Sequence, residues 1–187
     1  MPAPLIPRDE VVLRLLPVFQ RYGYDGASLS ELSKATGLGR SSLYHYFPGG
    51  KADMGRAAIE CGARWLRDNA IAPLSGAGTP AKRLGRMLKN LDGLYAGGRA
   101  SCLLGNLVIG ESRQLFQAEL AQVFQRWIDA LAALAAEAGL PRAEAAKRAQ
   151  DAVIRIQGAL IVGGGLGDTA PFRRTLARIP ADLLAGR

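Results

Sequence analysis

Ser28-Leu-Ser-Glu-Leu-Ser-Lys-Ala-Thr-Gly-Leu-Gly-Arg-Ser-Ser-Leu-Tyr-His-Tyr-Phe-Pro-Gly-Gly-Lys51 reads as two short helices and the turn between them. Ser28 and Glu31 have the spacing of a capping box, in which a hydroxyl and a carboxylate satisfy N–H groups at a helix start. The first helix therefore begins there and runs to about residue 35. Thr36-Gly-Leu-Gly39 is a tight turn, and 40–46 makes the second helix, stopped at Pro48-Gly-Gly50. Leu38, Leu43 and Phe47 fall at i, i+5 and i+9, inward against Leu29 and Leu32. The outward face carries Arg40, Ser41, Ser42, Tyr44, His45 and Tyr46, all hydrogen-bond donors. An ordinary solvated face is richer in Glu, Lys and Gln, yet no acid occurs between Glu31 and Asp53. Two such helices behind a longer supporting helix form a helix-turn-helix, whose second helix enters the major groove of DNA. Approach to phosphate requires a surface without carboxylates.

Helical periodicity continues on both sides of this stretch. Val11, Leu15, Val18, Phe19 and Tyr22 mark the supporting helix, ended by Gly23 and with a kink expected at Pro17. A fourth helix is expected over 51–70, with Met54, Ala58, Cys61 and Trp65 on one stripe. Leu84, Met87, Leu88, Leu91, Leu94 and Tyr95 mark a fifth, closed by Gly97-Gly98. The run 102–109 is apolar on all sides and predicts a short buried sixth helix. Leu120, Val123, Phe124, Trp127, Leu131 and Leu134 mark a seventh, stopped at Gly139 and Pro141. An eighth covers about 142–162 and a ninth about 169–184, bent by Pro180. The fold class is all-α, with about nine helices.

The 187 residues are 49% hydrophobic and 21% charged, a balance that supports a packed core and excludes disorder as the main state. The most apolar runs, 102–110 and 158–166, fall well short of the roughly 20 residues that cross a bilayer, so no membrane span is expected. Met1 to Pro7 lacks a basic lead and a long apolar run, so the cytoplasm is expected rather than secretion. Cys61 and Cys102 then read as free thiols, not a disulfide. His45, the single histidine, and two cysteines are too few for a four-ligand zinc site. There is no G-x-S-x-G elbow and no G-x-x-x-x-G-K-[ST] phosphate loop. Catalysis, a metal and a cofactor are therefore not expected. The net charge of +8 suggests an anionic partner. Residues 1–60 hold seven bases and six acids, so the charge favours nucleic acid without locating the site.

Leu29 to Lys51 resembles the N-terminal signature of TetR-type transcriptional regulators. Tyr44-x-x-Phe47 followed by a Lys opening helix four is its most specific part. The signature covers about a quarter of the chain. The family commonly has one residue fewer between the Phe and the Lys; here Gly49-Gly50 adds one. Pro17 within helix one is also unusual. Both features, with Cys102-Leu-Leu-Gly-Asn106, resemble the LmrA/YxaF-like branch. The resemblance implies that Arg40 and Ser41 reach base edges, an Arg on guanine being the commonest specific contact. It implies phosphate contacts for Ser28, Tyr44, Tyr46 and Lys51, and a base or backbone contact for His45. Ser42 shares their face. The competing reading makes Tyr44 and Tyr46 packing residues, His45 an inert exposed side chain and Lys51 a solvated helix start. As a cation at a helix N-terminus, Lys51 opposes the dipole, a small cost that a phosphate would offset.

The rest of the chain has no catalytic constellation, but it has what a small-molecule cavity needs. Trp65, Tyr95, Phe116, Phe124 and Trp127 lie on apolar stripes, with Cys102, Asn106 and Gln157 as polar points. The competing reading is an aromatic core in which Asn106 and Gln157 satisfy backbone groups. Helix eight carries Ala149, Ala152, Val153, Ile156 and Leu160 on one stripe, with Ile154 and Ile161 on others. Phe172, Leu176, Ile179 and Leu183 give helix nine a matching stripe. A helix apolar on several faces has more surface than one body covers, so a homodimer through about 142–184 is expected. These readings combine into a DNA-binding head, 1–50, and a ligand-binding and dimerisation body, 51–187. The expected function is a repressor of a palindromic double-stranded operator, released by a small apolar or aromatic effector. The alternative is an all-α small-molecule-binding or enzymatic protein whose helix-turn-helix makes only protein contacts.

Overall fold

The computed structural model describes residues 6–110 and 112–185. Among them are nine α-helices and no strand: α1 (Arg8–Gly26), α2 (Leu29–Thr36), α3 (Arg40–Tyr46), α4 (Lys51–Leu66), α5 (Pro80–Leu94), α6 (Leu103–Asn106), α7 (Ser112–Glu137), α8 (Arg142–Leu166) and α9 (Ala170–Leu184). The chain forms two compact units, Met1–Ala63 with Leu103–Leu120, and Arg64–Cys102 with Ala121–Arg187. The boundary expected at residue 50 coincides with this division only in part, because most of α4, with α6 and the start of α7, joins the N-terminal unit.

In the N-terminal unit α1 packs on α2 and α6, and α2 on α3. Leu15, Phe19, Leu32, Leu43, Phe47 and Met54 are fully buried there. Ser28 Oγ accepts the Glu31 N–H at 3.1 Å, as the capping spacing requires. Gly37 ends α2 by donating its N–H to Ser33 O at 2.9 Å. The buried Thr36 hydroxyl donates to Leu32 O at 2.8 Å, and Arg14 donates to Thr36 O at 2.9 Å. The turn between α2 and α3 is thus tied both to its own helix and to α1. The interruption in α1 falls at Gly23 (φ 64°, ψ −171°), not at Pro17, whose turn keeps helical torsion angles. Only glycine adopts that Gly23 conformation without strain, and a Cβ there would also crowd Asn106 O at 3.2 Å.

Two helices differ from expectation for local reasons. The helix expected over 102–109 is a single turn, and Ile109 is 65% exposed rather than buried. Gly105 weakens so short a helix, and the Ser112 hydroxyl satisfies the carbonyls of Leu107 (3.2 Å) and Ile109 (2.9 Å) without an α ladder. α4 ends at Leu66 and not near 70. Its last residues widen into a π turn, Arg67–Ile71, followed by a 3₁₀ turn, Ala72–Ser75. Asn90 Nδ2 donates to Asn69 O at 2.7 Å within that widened turn.

In the second unit α5 packs on these two turns and on α9, and α9 lies along α8. Arg83, 6% exposed, donates to Leu74 O at 2.9 Å and pairs with Glu137. Arg148 donates to Ala185 O (2.6 Å) and Asp182 O (3.3 Å), satisfying carbonyls that the end of α9 leaves open. Phe172, Leu176, Ile179 and Leu183 are all buried inside one chain, as are Ala149, Ala152, Val153, Ile156 and Leu160. The stripes expected to meet a second copy therefore form the internal α8–α9 seam. Two amphipathic helices joined by a three-residue connection bury each other first. What they leave outside is Ile154 (59% exposed), Ile161 (70%), Val162 (53%) and Leu166 (69%).

Candidate nucleic-acid interface

The reading helix is held from beneath and offers its polar residues outward. Leu43 and Phe47 are fully buried, while Arg40, Ser41, Ser42, Tyr44 and His45 are exposed. Ser28 is exposed at the start of α2. Ser33 Oγ donates to Leu38 O, fixing the loop that leads into α3. Asp53, the first acid after Glu31, is turned back on its own helix. It accepts the Gly49 N–H at 2.5 Å and pairs with Arg56 at 3.4 Å. The acid-free character of the surface is thus preserved up to α4.

Gly50 has a visible use. Gly50 adopts φ 68° and donates its N–H to Phe47 O at 2.8 Å. A Cβ there would lie 3.2 Å from the Tyr44 ring. Glycine at this position lets the chain turn tightly against Tyr44 before α4 begins. Lys51 Nζ then sits 4.5 Å from the centre of the Tyr24 ring and 3.4 Å from Asp25 O. Burial lowers the Lys51 ammonium pKa from its usual value, and burial raises that of the Tyr24 phenol. Tyr24 in turn meets the buried Phe116 edge-on at 5.1 Å. Sequence reasoning missed Tyr24; its signal was an aromatic next to the helix-ending Gly23, four residues ahead of Ser28.

Tyr46 differs from its neighbours. It is half-buried, and its hydroxyl donates to Ile6 O at 2.6 Å, forty residues away in sequence. Beside it, the Arg8 guanidinium lies over the Phe47 ring at 5.1 Å. No periodicity argument could pair residues so far apart.

The residues expected to line a ligand site separate into two groups. Asn106 and Phe116 belong to the N-terminal unit, where Asn106 Nδ2 donates to Gln20 O at 2.5 Å and Phe116 packs on Tyr24. Trp65, Tyr95, Cys102, Phe124, Trp127 and Gln157 belong to the second unit. There the buried Tyr95 hydroxyl lies 3.4 Å from Cys102 Sγ, Gln157 lies beside the same phenol, and Phe172 meets the ring edge-on at 5.7 Å. Burial, then the Cys102 thiol, pushes the Tyr95 phenol pKa well up. Trp127 Nε1 is a buried donor with no hydrogen-bond partner among the described residues, whereas the Gln157 amide is directed at the Tyr95 phenol oxygen. Trp65 and Phe124 are half-buried.

Residues 16–58 match the model of bacterial regulatory proteins of the tetR family. Residues 80–178, over half of the chain, match the C-terminal domain of LmrA/YxaF-like transcriptional regulators. The HTH-type transcriptional regulator LmrA of Bacillus subtilis is 28% identical over 46% of this chain and 45% of its own length. The transcriptional regulator AcuR of Cereibacter sphaeroides is 35% identical over 56% of this chain and 50% of its own. The chain thus spans about half the length of these two curated relatives. A regulatory protein TetR from Rhodobacter sphaeroides superposes with a TM-score of 0.77 at 26% identity, covering 92% of this chain and 96% of that one. A TetR regulator from Legionella pneumophila shares the fold at 16% identity, with a TM-score of 0.83 over 97% and 98% of the two chains. No helix among the described residues is long and apolar enough to cross a membrane. The chain belongs to the TetR family of transcriptional regulators, with a C-terminal region of the LmrA/YxaF-like kind.

Proposed function

We propose that this protein is a homodimeric cytoplasmic repressor that reads a palindromic operator through α3 and is released by a small molecule bound in its body. The observation that carries the reading is the outer face of α3, where Arg40, Ser41, Ser42, Tyr44 and His45 are exposed with no carboxylate among them. Arg40 and Ser41 read bases from the start of the helix, as in helix-turn-helix docking generally. Ser28, Tyr44 and Lys51 hold phosphates. A second copy covers Ile154, Ile161, Val162 and Leu166 on α8, and the two-fold axis spaces the two α3 helices one DNA turn apart. The effector is apolar or aromatic and carries a hydrogen-bond acceptor, which Trp127 Nε1 lacks. α4 is the link, a single helix from Lys51 to beyond Trp65; displacing Trp65 tilts it and changes the half-site spacing.

Selection of bound sequences from a random DNA pool, followed by titration of the winner across a salt series, tests the DNA reading. A sequence-preferring, salt-dependent complex is expected; binding indifferent to sequence, or none at low salt, would overturn it. For release, an effector found by thermal-shift screening is titrated with and without operator. Coupling of 1–3 kcal/mol is the usual scale and is reciprocal, so equal effector affinity in both titrations rules out the mechanism.

A further inference from the structure

Resting on that DNA reading, we propose that Arg8 is a further phosphate contact and that Tyr46 acts by positioning it, not by touching DNA. α3 has seven residues, about 10 Å at 1.5 Å per residue, against a major groove about 12 Å wide. Arg40 and Ser41 stand at its base-reading start, and Tyr44 and Lys51, the phosphate contacts of that reading, stand toward its far end. Both contacts to the segment entering α1 lie at that end. Tyr46, the last residue of α3, holds Ile6 O at 2.6 Å, and Phe47, the residue that caps it, carries the Arg8 guanidinium at 5.1 Å.

Arg8 is itself available to a phosphate, although the charges around it are mixed. Arg8 is exposed and has no carboxylate partner among the described residues. Glu10 is engaged by Arg14 at 2.5 Å, while exposed Asp9 has no ion-pair partner among the described residues and opposes a phosphate, an opposition the Arg8 contact must outweigh. As the first residue of α1, Arg8 is a cation at the unfavourable end of a helix dipole, as Lys51 is on α4. Both lie at the margins of the reading face, and a phosphate offsets both. Stacking on Phe47 holds the guanidinium in place, so less side-chain freedom is lost when a phosphate binds. The Tyr46 hydroxyl already donates its proton to Ile6 O, so its contribution passes through the chain to Arg8.

The experiment uses the whole dimer, the operator obtained by selection, and four variants: Arg8→Ala, Arg8→Lys, Tyr46→Phe and the Arg8→Ala/Tyr46→Phe double. Affinity is measured by fluorescence anisotropy across a salt series, with melting curves as a check on folding. Arg8→Ala is expected to flatten the log–log salt slope by about 1 per half-site, equally for all sequences. Arg8→Lys, which keeps the charge, retains the slope and reports the contact even if the alanine variant folds poorly. Tyr46→Phe gives part of the same loss, and the double variant is no weaker than Arg8→Ala alone. An unchanged slope in Arg8→Ala overturns the contact. Fully additive losses overturn the positioning role and return Tyr46 to a direct phosphate contact. A wild-type protein with no sequence-preferring binding would instead overturn the DNA reading itself.

Discussion

The outer faces of α3 and α8 are both exposed, and they are exposed for opposite reasons. On α3 the outward side chains are donors that water satisfies fully, so the face is stable without DNA and is recognisable from residue type alone. On α8, Ile154, Ile161, Val162 and Leu166 present apolar surface that water does not satisfy. A polar face can wait for its partner, whereas an apolar one is a standing cost to the isolated chain. The comparison teaches that the two interfaces should fail differently: charge on α8 should abolish assembly, and loss of a side chain on α3 should weaken recognition while leaving assembly intact.

The largest effect is expected when the α8 face is made to resemble the α3 face. Ile154→Asp with Ile161→Asp puts four carboxylates into a two-fold interface. Each uncompensated buried charge costs about 3–5 kcal/mol, so the dimer should fall apart at micromolar concentration while the monomer keeps its helical signal. Light scattering reads the mass. A dimer that survives both substitutions excludes this face.

The next test concerns the seam beneath that face. Phe172 is fully buried against Tyr95, so Phe172→Ala should cost about 3–5 kcal/mol of stability. Denaturant unfolding should show this loss even where the mass remains dimeric. A variant that dissociates without losing monomer stability would return Phe172 to the interface.

Arg40→Ala probes the polar face. It should cost about 1–3 kcal/mol of operator affinity and relax preference at one base position. The dimer mass and melting temperature should stay as they are. Repeating the sequence selection with the variant checks this, and an unchanged consensus removes Arg40 from the reading role.

Legibility differed between the two regions for the same physical reason. Around α3 the signals are local: Ser28 capping Glu31, Gly37 ending α2, and Pro48-Gly49-Gly50 stopping α3 each depend on residues within a few positions. Periodicity in α8 and α9 showed that several stripes are apolar, but which stripe faces inward depends on what the chain packs there. Phe172 was thus assigned to a partner when it meets Tyr95. The run 102–109 misled similarly, because a hydroxyl from Ser112 and an amide from Asn106 reorganise it. Asn106 and Phe116 fall in a different compact unit from the other expected pocket residues, and composition marks an aromatic or polar point without saying which helices surround it. The partners in the Tyr46–Ile6 and Lys51–Tyr24 pairs lie too far apart in sequence for periodicity to join them.

The smallest effect belongs to Lys51, and it sharpens the comparison by separating position from reading. Its ammonium is not idle in the structure, since it lies over Tyr24 and near Asp25 O. A phosphate must therefore compete with a cation–π contact of about 0.5–1 kcal/mol, the usual value at exposed sites. The net contribution of Lys51 to DNA binding should be correspondingly small. Lys51→Ala should weaken every sequence alike, by less than the Arg40 loss, and flatten the salt slope by about 1 per half-site. Tyr24→Leu removes the competing ring while leaving the lysine, so it should keep the wild-type slope and bind operator at least as tightly. Anisotropy titrations over a salt series on both variants decide the matter. If Lys51→Ala changes the selected consensus, Lys51 reads sequence and does not merely position the helix.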